Sequence, residues 1–319
     1  MNTSSPRTCL VTGGAGNLSR QLKPHLLAAG YRLVLWDIAE PPTSGLLQDC
    51  TYVQGDMTER GHVSSVMAQY RPDTVLHFAT MLSGASEADR GHAWHVNMDA
   101  SFYLLEEAIA HQTNRLLFLS SLAAYGAPLP NPVPEDYPQW PVGLYGVTKA
   151  AIERLGNYYH HRHGLDFRVL RLPVIVSRHA PLGASSAYPS RAYIEAAENG
   201  HYRFRVHPLV RPILLYSKDV PRAIVQLLSA PTDRLSRRVY NIQGISPTAQ
   251  QLADAIEQRL PLTTFEFDPD PAVSDLIDSW PQAFVDESAR RDWGWEPEYD
   301  LDSMSDDFIG ELTGNAGNQ

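Results

Sequence analysis

The chain has 319 residues, enough for one large α/β domain with a smaller lobe at about 100–200 residues per domain. Its 26 basic and 36 acidic residues give a formal charge of −10, which argues against nucleic acid or an anionic membrane as the main partner. Two cysteines, Cys9 and Cys50, build neither a disulfide framework nor a metal cluster. No apolar run reaches the ~18 residues of a membrane span, and Met1–Arg7 lacks the apolar core of a signal peptide, so the expectation is a soluble cytoplasmic protein.

Thr8–Thr12 reads as a short buried parallel strand, and Gly13-Gly14-Ala15-Gly16-Asn17-Leu18-Ser19 follows at once. A helix comes next, with Leu18, Leu22 and Leu26 spaced by fours. Strand, glycine turn and helix form the context of a dinucleotide fingerprint. Gly13 permits the tight turn. Gly16 lets the N–H groups at Asn17 and Leu18 approach a pyrophosphate at a helix N-terminus. Ser19 stands where the third glycine usually stands, a small change at a packing position. Pro24 falls inside the predicted helix and predicts a local kink.

The second strand, Arg32–Trp36, ends in Asp37, roughly twenty residues beyond the glycines. An acid there accepts bonds from the adenosine ribose and repels a 2′-phosphate, which favours NAD over NADP. The third strand, Tyr52–Gly55, leads into Asp56-Met57, placed to meet the adenine. The fourth, Thr74–Phe78, leads into Ala79-Thr80, where small residues let the backbone approach the cofactor.

Leu116–Ser120 is the fifth strand, followed by Ser121. Tyr145 and Lys149 are four apart, so a helix stacks them on one face. The lysine charge is expected to favour the phenolate and lower the tyrosine pKa from about 10, making a general acid or base. Ser121 can hold the substrate oxygen that exchanges the proton. Glycine turn, acid and Ser–Tyr–Lys set, in this order, imply hydride transfer to a nicotinamide. The helix face of Val147, Ala151, Leu155 and Tyr158/Tyr159 packs on the sheet or meets a second copy in a homodimer. His160, His161 and His163 precede Gly164 at a helix end. Histidine is favourable there without a metal, and no second ligand group accompanies them, so no metal site is expected.

Phe167–Arg171 is the sixth strand and Val239–Ile242 the seventh. Between them, 180–210 mixes prolines, glycines and a short helix near Tyr193–Asn199. Ser246-Pro247-Thr248 opens a helix through Leu260, and Thr263–Phe267 is a short strand. The expected architecture is α/β: a Rossmann-type doubly wound parallel sheet with a smaller, discontinuous C-terminal substrate lobe. Residues 1–175 and 211–242 form the NAD-binding domain. Residues 176–210 and 243–319 form the substrate lobe, which would close over the crevice at the carboxyl ends of the strands.

Gly13-x-x-Gly16, Asp37, Asp56-Met57, Ser121 and Tyr145-x-x-x-Lys149 together resemble the extended short-chain dehydrogenase/reductase family over nearly the whole chain. The resemblance implies that Ser121, four before Tyr125, is the catalytic serine rather than Ser120. It implies that Lys149 reaches the nicotinamide ribose and that Pro173–Val176, with Ile175, passes the nicotinamide. It assigns Phe78, Ala79, Thr80 and the helix asparagine Asn97 to the cofactor's surroundings. Ala93-Trp94-x-Val96-Asn97-Met98, Gly156-Asn-Tyr-Tyr-His160, Asp278-Ser279-Trp280-Pro281 and Asp292-Trp293-Gly294-Trp295 are similar to blocks of the short-chain-type L-threonine 3-dehydrogenases. That implies oxidation of a secondary hydroxyl in a small 3-hydroxy amino acid or hydroxy acid. The tryptophans also fit plain core packing.

One segment departs from that pattern. Where the threonine enzymes carry Gly-Gly-Thr-Thr-Asp-Tyr, this chain has Gly183-Ala184-Ser185-Ser186-Ala187-Tyr188. Ser83, Ser185 and Ser186 are candidates for the polar part of the substrate, with a loop-cap reading for Ser83 beside it. Arg211 stands where those enzymes tend to be apolar. It fits a sugar-diphosphate anchor, a carboxylate anchor or a surface ion pair. The competing activities are a sugar-nucleotide epimerase or dehydratase that recycles its NAD, and a sugar-acid dehydrogenase. A non-catalytic NAD sensor would not need the Ser121–Tyr145–Lys149 set.

Overall fold

The computed structural model describes residues 7–41, 48–180 and 184–314. Contacts divide the chain into two units, one of Met1–Ala124, Gln139–Arg171 and Pro221–Tyr240, the other of Tyr125–Pro138, Leu172–Val220 and Asn241–Gln319. The expected boundaries put 125–138 and 211–220 with the dinucleotide half. Their contacts lie in the second unit instead, because Val133 bridges to Phe284 and the strand at Leu214–Tyr216 pairs with Val174–Val176. Residues 1–6 and Gly183 lie outside the described residues.

In the first unit, apolar runs too short for helices become strands, buried on both faces except at the edge strand Cys50–Gln54. They are β1 (Arg7–Thr12), β2 (Tyr31–Asp37), β3 (Cys50–Gln54), β4 (Thr74–His77), β5 (Arg115–Ser121) and β6 (Asp166–Leu172). The later strand β10 (Val239–Asn241) completes a seven-stranded sheet ordered β10-β6-β5-β4-β1-β2-β3. Its β2–β3, β1–β2, β1–β4 and β4–β5 pairs are parallel. Strand order reverses between β1 and β4, which puts the binding crevice at their carboxyl ends.

The connecting helices are α1 (Asn17–Ala28), α2 (Arg60–Tyr70), α3 (Ser83–Ala88), α4 (Arg90–Trp94), α5 (Ala100–Ala110) and α6 (Leu144–His163). Val63 and Met67 of α2, Leu104 and Ala108 of α5, and Ile152 and Tyr159 of α6 share one core with Leu10, Trp36, Phe118 and Phe167. Burying each large apolar side chain there contributes about 1.5–3 kcal/mol. α6 lies close to the sheet because Gly156 has no side chain: a Cβ there would sit 2.0 Å from the Phe167 ring. The α6 face divides, with Tyr159 in the core and Val147 and Tyr158 exposed. Gly164, at φ +75°, ends the helix, and His160 bonds the Leu165 carbonyl at 2.8 Å. Pro24 does lie inside α1, on its exposed side. Its missing N–H therefore leaves a carbonyl facing solvent rather than the core.

The second unit holds two short parallel pairs that periodicity does not reveal, β7 (Val174–Val176) with β9 (Leu214–Tyr216) and β8 (His201–Phe204) with β11 (Thr264–Phe267). Helix α7 (Tyr188–Asn199) starts five residues earlier than expected, with Pro189 in its first turn, where its fixed φ suits a helix. Helix α8 (Asp219–Ser229) precedes β10 in the chain. Helix α9 (Ala249–Glu257) begins after Pro247, with Thr248 and Gln251 forming a reciprocal capping box. Helices α10 (Pro271–Asp278), α11 (Glu287–Trp293) and α12 (Leu301–Thr313) follow. Trp295 is fully buried and donates to the Gln243 carbonyl at 3.2 Å, so this tryptophan packs the core.

Candidate active site

At the carboxyl end of β1 the chain turns through Gly13 at φ +69°, and a Cβ there would approach Ala79 N to 3.0 Å. Gly13 therefore serves both a left-handed conformation and a close passage of β4. Gly16 occupies the N-cap of α1 without a side-chain cap, and no acid stands in the first turn at Asn17 and Leu18. The result is an open, electropositive helix end. Asp37 closes the turn from the next strand. One carboxylate oxygen accepts the Ala15 N–H (3.0 Å) and the other the Ala39 N–H (3.0 Å). Asp56 is fixed by Thr58 N–H and Oγ1, both at 2.8 Å, and Met57 is buried beside it. A glycine cradle, an uncapped helix end and an oriented carboxylate fit a pyrophosphate and a ribose.

A buried polar chain fixes the β4 end. Thr12 Oγ1 accepts the Phe78 and Ala79 N–H groups, both at 3.1 Å, and donates to His77 Nδ1 at 2.8 Å. Nε2 then donates to Ser101 Oγ (2.8 Å), which donates to the Asn97 carbonyl (2.6 Å). A neutral imidazole satisfies every member, and burial, aided by the Lys149 charge, pushes His77 down to about 3. Between about pH 6.5 and 3 the unfolded chain binds a proton that folded His77 refuses. Stability therefore falls as pH drops through that window, by about 1.4 kcal/mol per unit. His77→Gln is expected to flatten this part of the acid limb in urea titrations, and an unchanged slope would contradict the assignment.

Asn97 lies in a π-helical turn, His95–Asp99. Its Oδ1 accepts Met81 N–H (2.8 Å) and Thr80 Oγ1 (3.0 Å), and its Nδ2 donates to the Met81 carbonyl (3.1 Å). Asn97 thus clamps the segment after β4. Ser83 is exposed in the first turn of α3, and Leu82 rather than Ser83 is the N-cap residue there.

Ser121 ends β5, and its Oγ accepts the Ala123 N–H at 3.2 Å. It faces Tyr145, in the first turn of α6, closely enough to favour the phenolate. One turn on, Lys149 donates to the Leu119 carbonyl at 2.8 Å. Its Nζ lies 4.5 Å from the Phe118 ring centroid and 5.3 Å from that of Tyr145. The three side chains expected from the sequence are therefore together in one unit. Their electrostatics correct the expected tuning. Burial pushes the Tyr145 phenol up to about 12, against a lowering by Ser121, and it pushes Lys149 down to about 7, against a raising by Glu153. Spacing shows a charge beside a phenol, but desolvation outweighs it here.

Glu153 itself escaped the sequence reading, although it lies four residues beyond Lys149. So did Thr12, His77 and Arg171, and Ser120 enters it only as an alternative to Ser121. In the second unit, Pro173 is buried, Ile175 is half-buried in β7, and Ser185 and Ser186 are half-buried in a 3-10 turn. Arg211 donates to the Ser246 carbonyl (2.5 Å) and to Gln251 (3.5 Å). It has no acidic partner among the described residues. No cluster of potential metal ligands occurs among the described residues, and no helix is long and apolar enough to cross a membrane.

This architecture and site define a nicotinamide-dependent oxidoreductase fold. The model of the NAD dependent epimerase/dehydratase family matches residues 9–242, and the chain belongs to that family. It is 33% identical to the mitochondrial L-threonine 3-dehydrogenase of Bos taurus over 299 residues, covering 92% of this chain and 80% of that protein. It is 29% identical to an uncharacterized epimerase/dehydratase of Staphylococcus saprophyticus, over 96% and 97% of the two chains. Among solved structures, L-threonine dehydrogenase from Clostridium difficile superposes with a TM-score of 0.91 at 29% identity, over 98% and 99% of the chains. The GalE-like L-threonine dehydrogenase of Cupriavidus necator, in its holo form, gives 0.89 at 29%, over 96% and 99%.

Proposed function

We propose that this chain is an NAD-dependent dehydrogenase that oxidises the secondary hydroxyl of a small 3-hydroxy amino acid such as L-threonine. The observation that carries the reading is the meeting of Ser121, at the carboxyl end of β5, with Tyr145 in the first turn of α6 and Lys149 one helical turn on, its Nζ 5.3 Å from the Tyr145 ring centroid. The threonine dehydrogenases among its relatives support the substrate class. Gly13, Gly16, Asn17, Leu18 and Asp37 would hold NAD, which when bound supplies the hydride acceptor. Ser121 donates to the reacting oxygen and holds it. Tyr145, ionised, takes the hydroxyl proton as the C–H bond breaks. Lys149 steadies that phenolate.

The test is a panel of hydroxy amino acids, hydroxy acids and nucleotide sugars with NAD, read at 340 nm. NADH accumulating with L-threonine supports the reading. Arg211, which has no acidic partner among the described residues, favours a second reading in which a sugar diphosphate is bound and NAD recycled. No net NADH, with thermal stabilisation by a nucleotide sugar, would select it.

Asp37 should set coenzyme choice. Its carboxylate accepts ribose hydroxyls and repels a 2′-phosphate. Asp37→Ser is expected to raise the NADP-to-NAD ratio of kcat/KM by about tenfold or more, a change of at least about 1.4 kcal/mol. A wild-type enzyme that prefers NADP would contradict this assignment.

A further inference from the structure

We infer that Glu153, fixed by Arg171, Ser120 and Gln139, is the buried counter-charge of Lys149, and so a positioning residue for proton transfer at Tyr145. The inference rests on the roles proposed above for Tyr145 and Lys149.

Glu153 is one turn beyond Lys149 on α6 and only 2% exposed. Each of its oxygens accepts two bonds. Oε1 takes Arg171 Nε (2.9 Å) and Ser120 Oγ, and Oε2 takes an Arg171 terminal nitrogen (2.7 Å) and Gln139 Nε2 (2.9 Å). Arg154 donates to Gln139 Oε1 at 2.6 Å, which sets the amide so that its nitrogen faces Glu153. The carboxylate is thus held from β5, from β6, from the segment before α6 and from α6 itself.

A buried ion pair is a poor device for stability alone, since well-packed apolar residues often do as well. What the pair does is fix the Glu153 carboxylate one helical turn from Lys149, both on the buried side of α6. The groups facing Lys149 from each packed element are few. From β5 come the Phe118 ring and the Leu119 carbonyl. From β4 comes His77, which is neutral. The π-helical turn carries Asn97, which faces Thr148. From α6 come Tyr145 and Glu153, and Glu153 in turn carries Arg171 of β6. Arg171 is cationic, but both its bonds to Glu153 direct that charge into the carboxylate. Glu153 is the acid that acts on Lys149 and opposes its desolvation. Ser120 also ties the same carboxylate to the strand end that presents Ser121, so one group aligns both sides of the site.

The chain has three lysines, Lys23, Lys149 and Lys218, so 13C-lysine NMR resolves the Lys149 titration directly and without turnover. In wild type its midpoint is expected at about 7. Glu153→Gln should lower it by about one unit and cut kcat at neutral pH about tenfold, with KM for NAD little changed. Glu153→Asp should recover most of both. Glu153→Gln removes only one charge of the Glu153–Arg171 pair, so Glu153→Gln/Arg171→Met provides a variant in which both are gone. The inference requires its Lys149 midpoint to stay below wild type. A Lys149 midpoint at the wild-type position in the folded variants would overturn it. Failure of every substrate in the panel would remove the dehydrogenase reading, while the NMR titration would still decide whether Glu153 sets the charge on Lys149.

Discussion

Tyr145→Phe lowers kcat by about 10³-fold and leaves NAD affinity within a few-fold. The substitution deletes one oxygen and keeps the ring, so the packing of α6 against β5 survives. What is lost is the hydroxyl that faces Ser121. Because burial holds the phenol near 12, oxidation by wild type should also speed up as pH rises from neutral towards alkaline. The variant should lose that slope. Stopped-flow NADH formation across pH measures both effects, and substantial turnover by Tyr145→Phe would remove the tyrosine from the mechanism.

Gly146→Ala is expected to cost nearly as much for a different reason. A Cβ at Gly146 would lie 1.9 Å from the Ala123 carbonyl oxygen and 2.8 Å from Pro141 Cβ. Ala123 belongs to the turn Leu122–Ala124 directly after Ser121. The methyl must therefore push the start of α6, with Tyr145, away from the strand end that carries Ser121. Overpacking of this kind costs about 1–3 kcal/mol of stability. A shift of about 1 Å between reacting groups costs about 10²-fold in rate. Urea unfolding and kcat on the same preparation separate the two. Full activity in Gly146→Ala would mean that this close approach does not position the tyrosine.

The cofactor cradle and the Ser121–Tyr145–Lys149 set were legible because each is local: a glycine turn after a strand, an acid at the next strand end, two residues one helical turn apart. The sheet was legible for the same reason, since its strands are short apolar runs between turn signals. Strands β7, β8 and β9 were not, because three or four residues carry no period and their pairing partners are distant in the chain. The sign of the Tyr145 shift was missed because it depends on burial by residues far along the chain. The Glu153 cluster was missed because its meaning depends on Arg171 from β6 and Gln139 from a loop. Arg211 kept three readings in the sequence because its neighbours, Ser246 and Gln251, lie far along the chain.

The account as a whole depends on where a bound nicotinamide lies. A crystal structure of the NAD complex tests it most directly. The account predicts the pyrophosphate over Gly13–Leu18, the adenosine ribose on Asp37, and the reactive ring carbon within about 4 Å of the site between the Tyr145 and Ser121 hydroxyls. A nicotinamide bound elsewhere, with those hydroxyls turned away from it, would contradict the account.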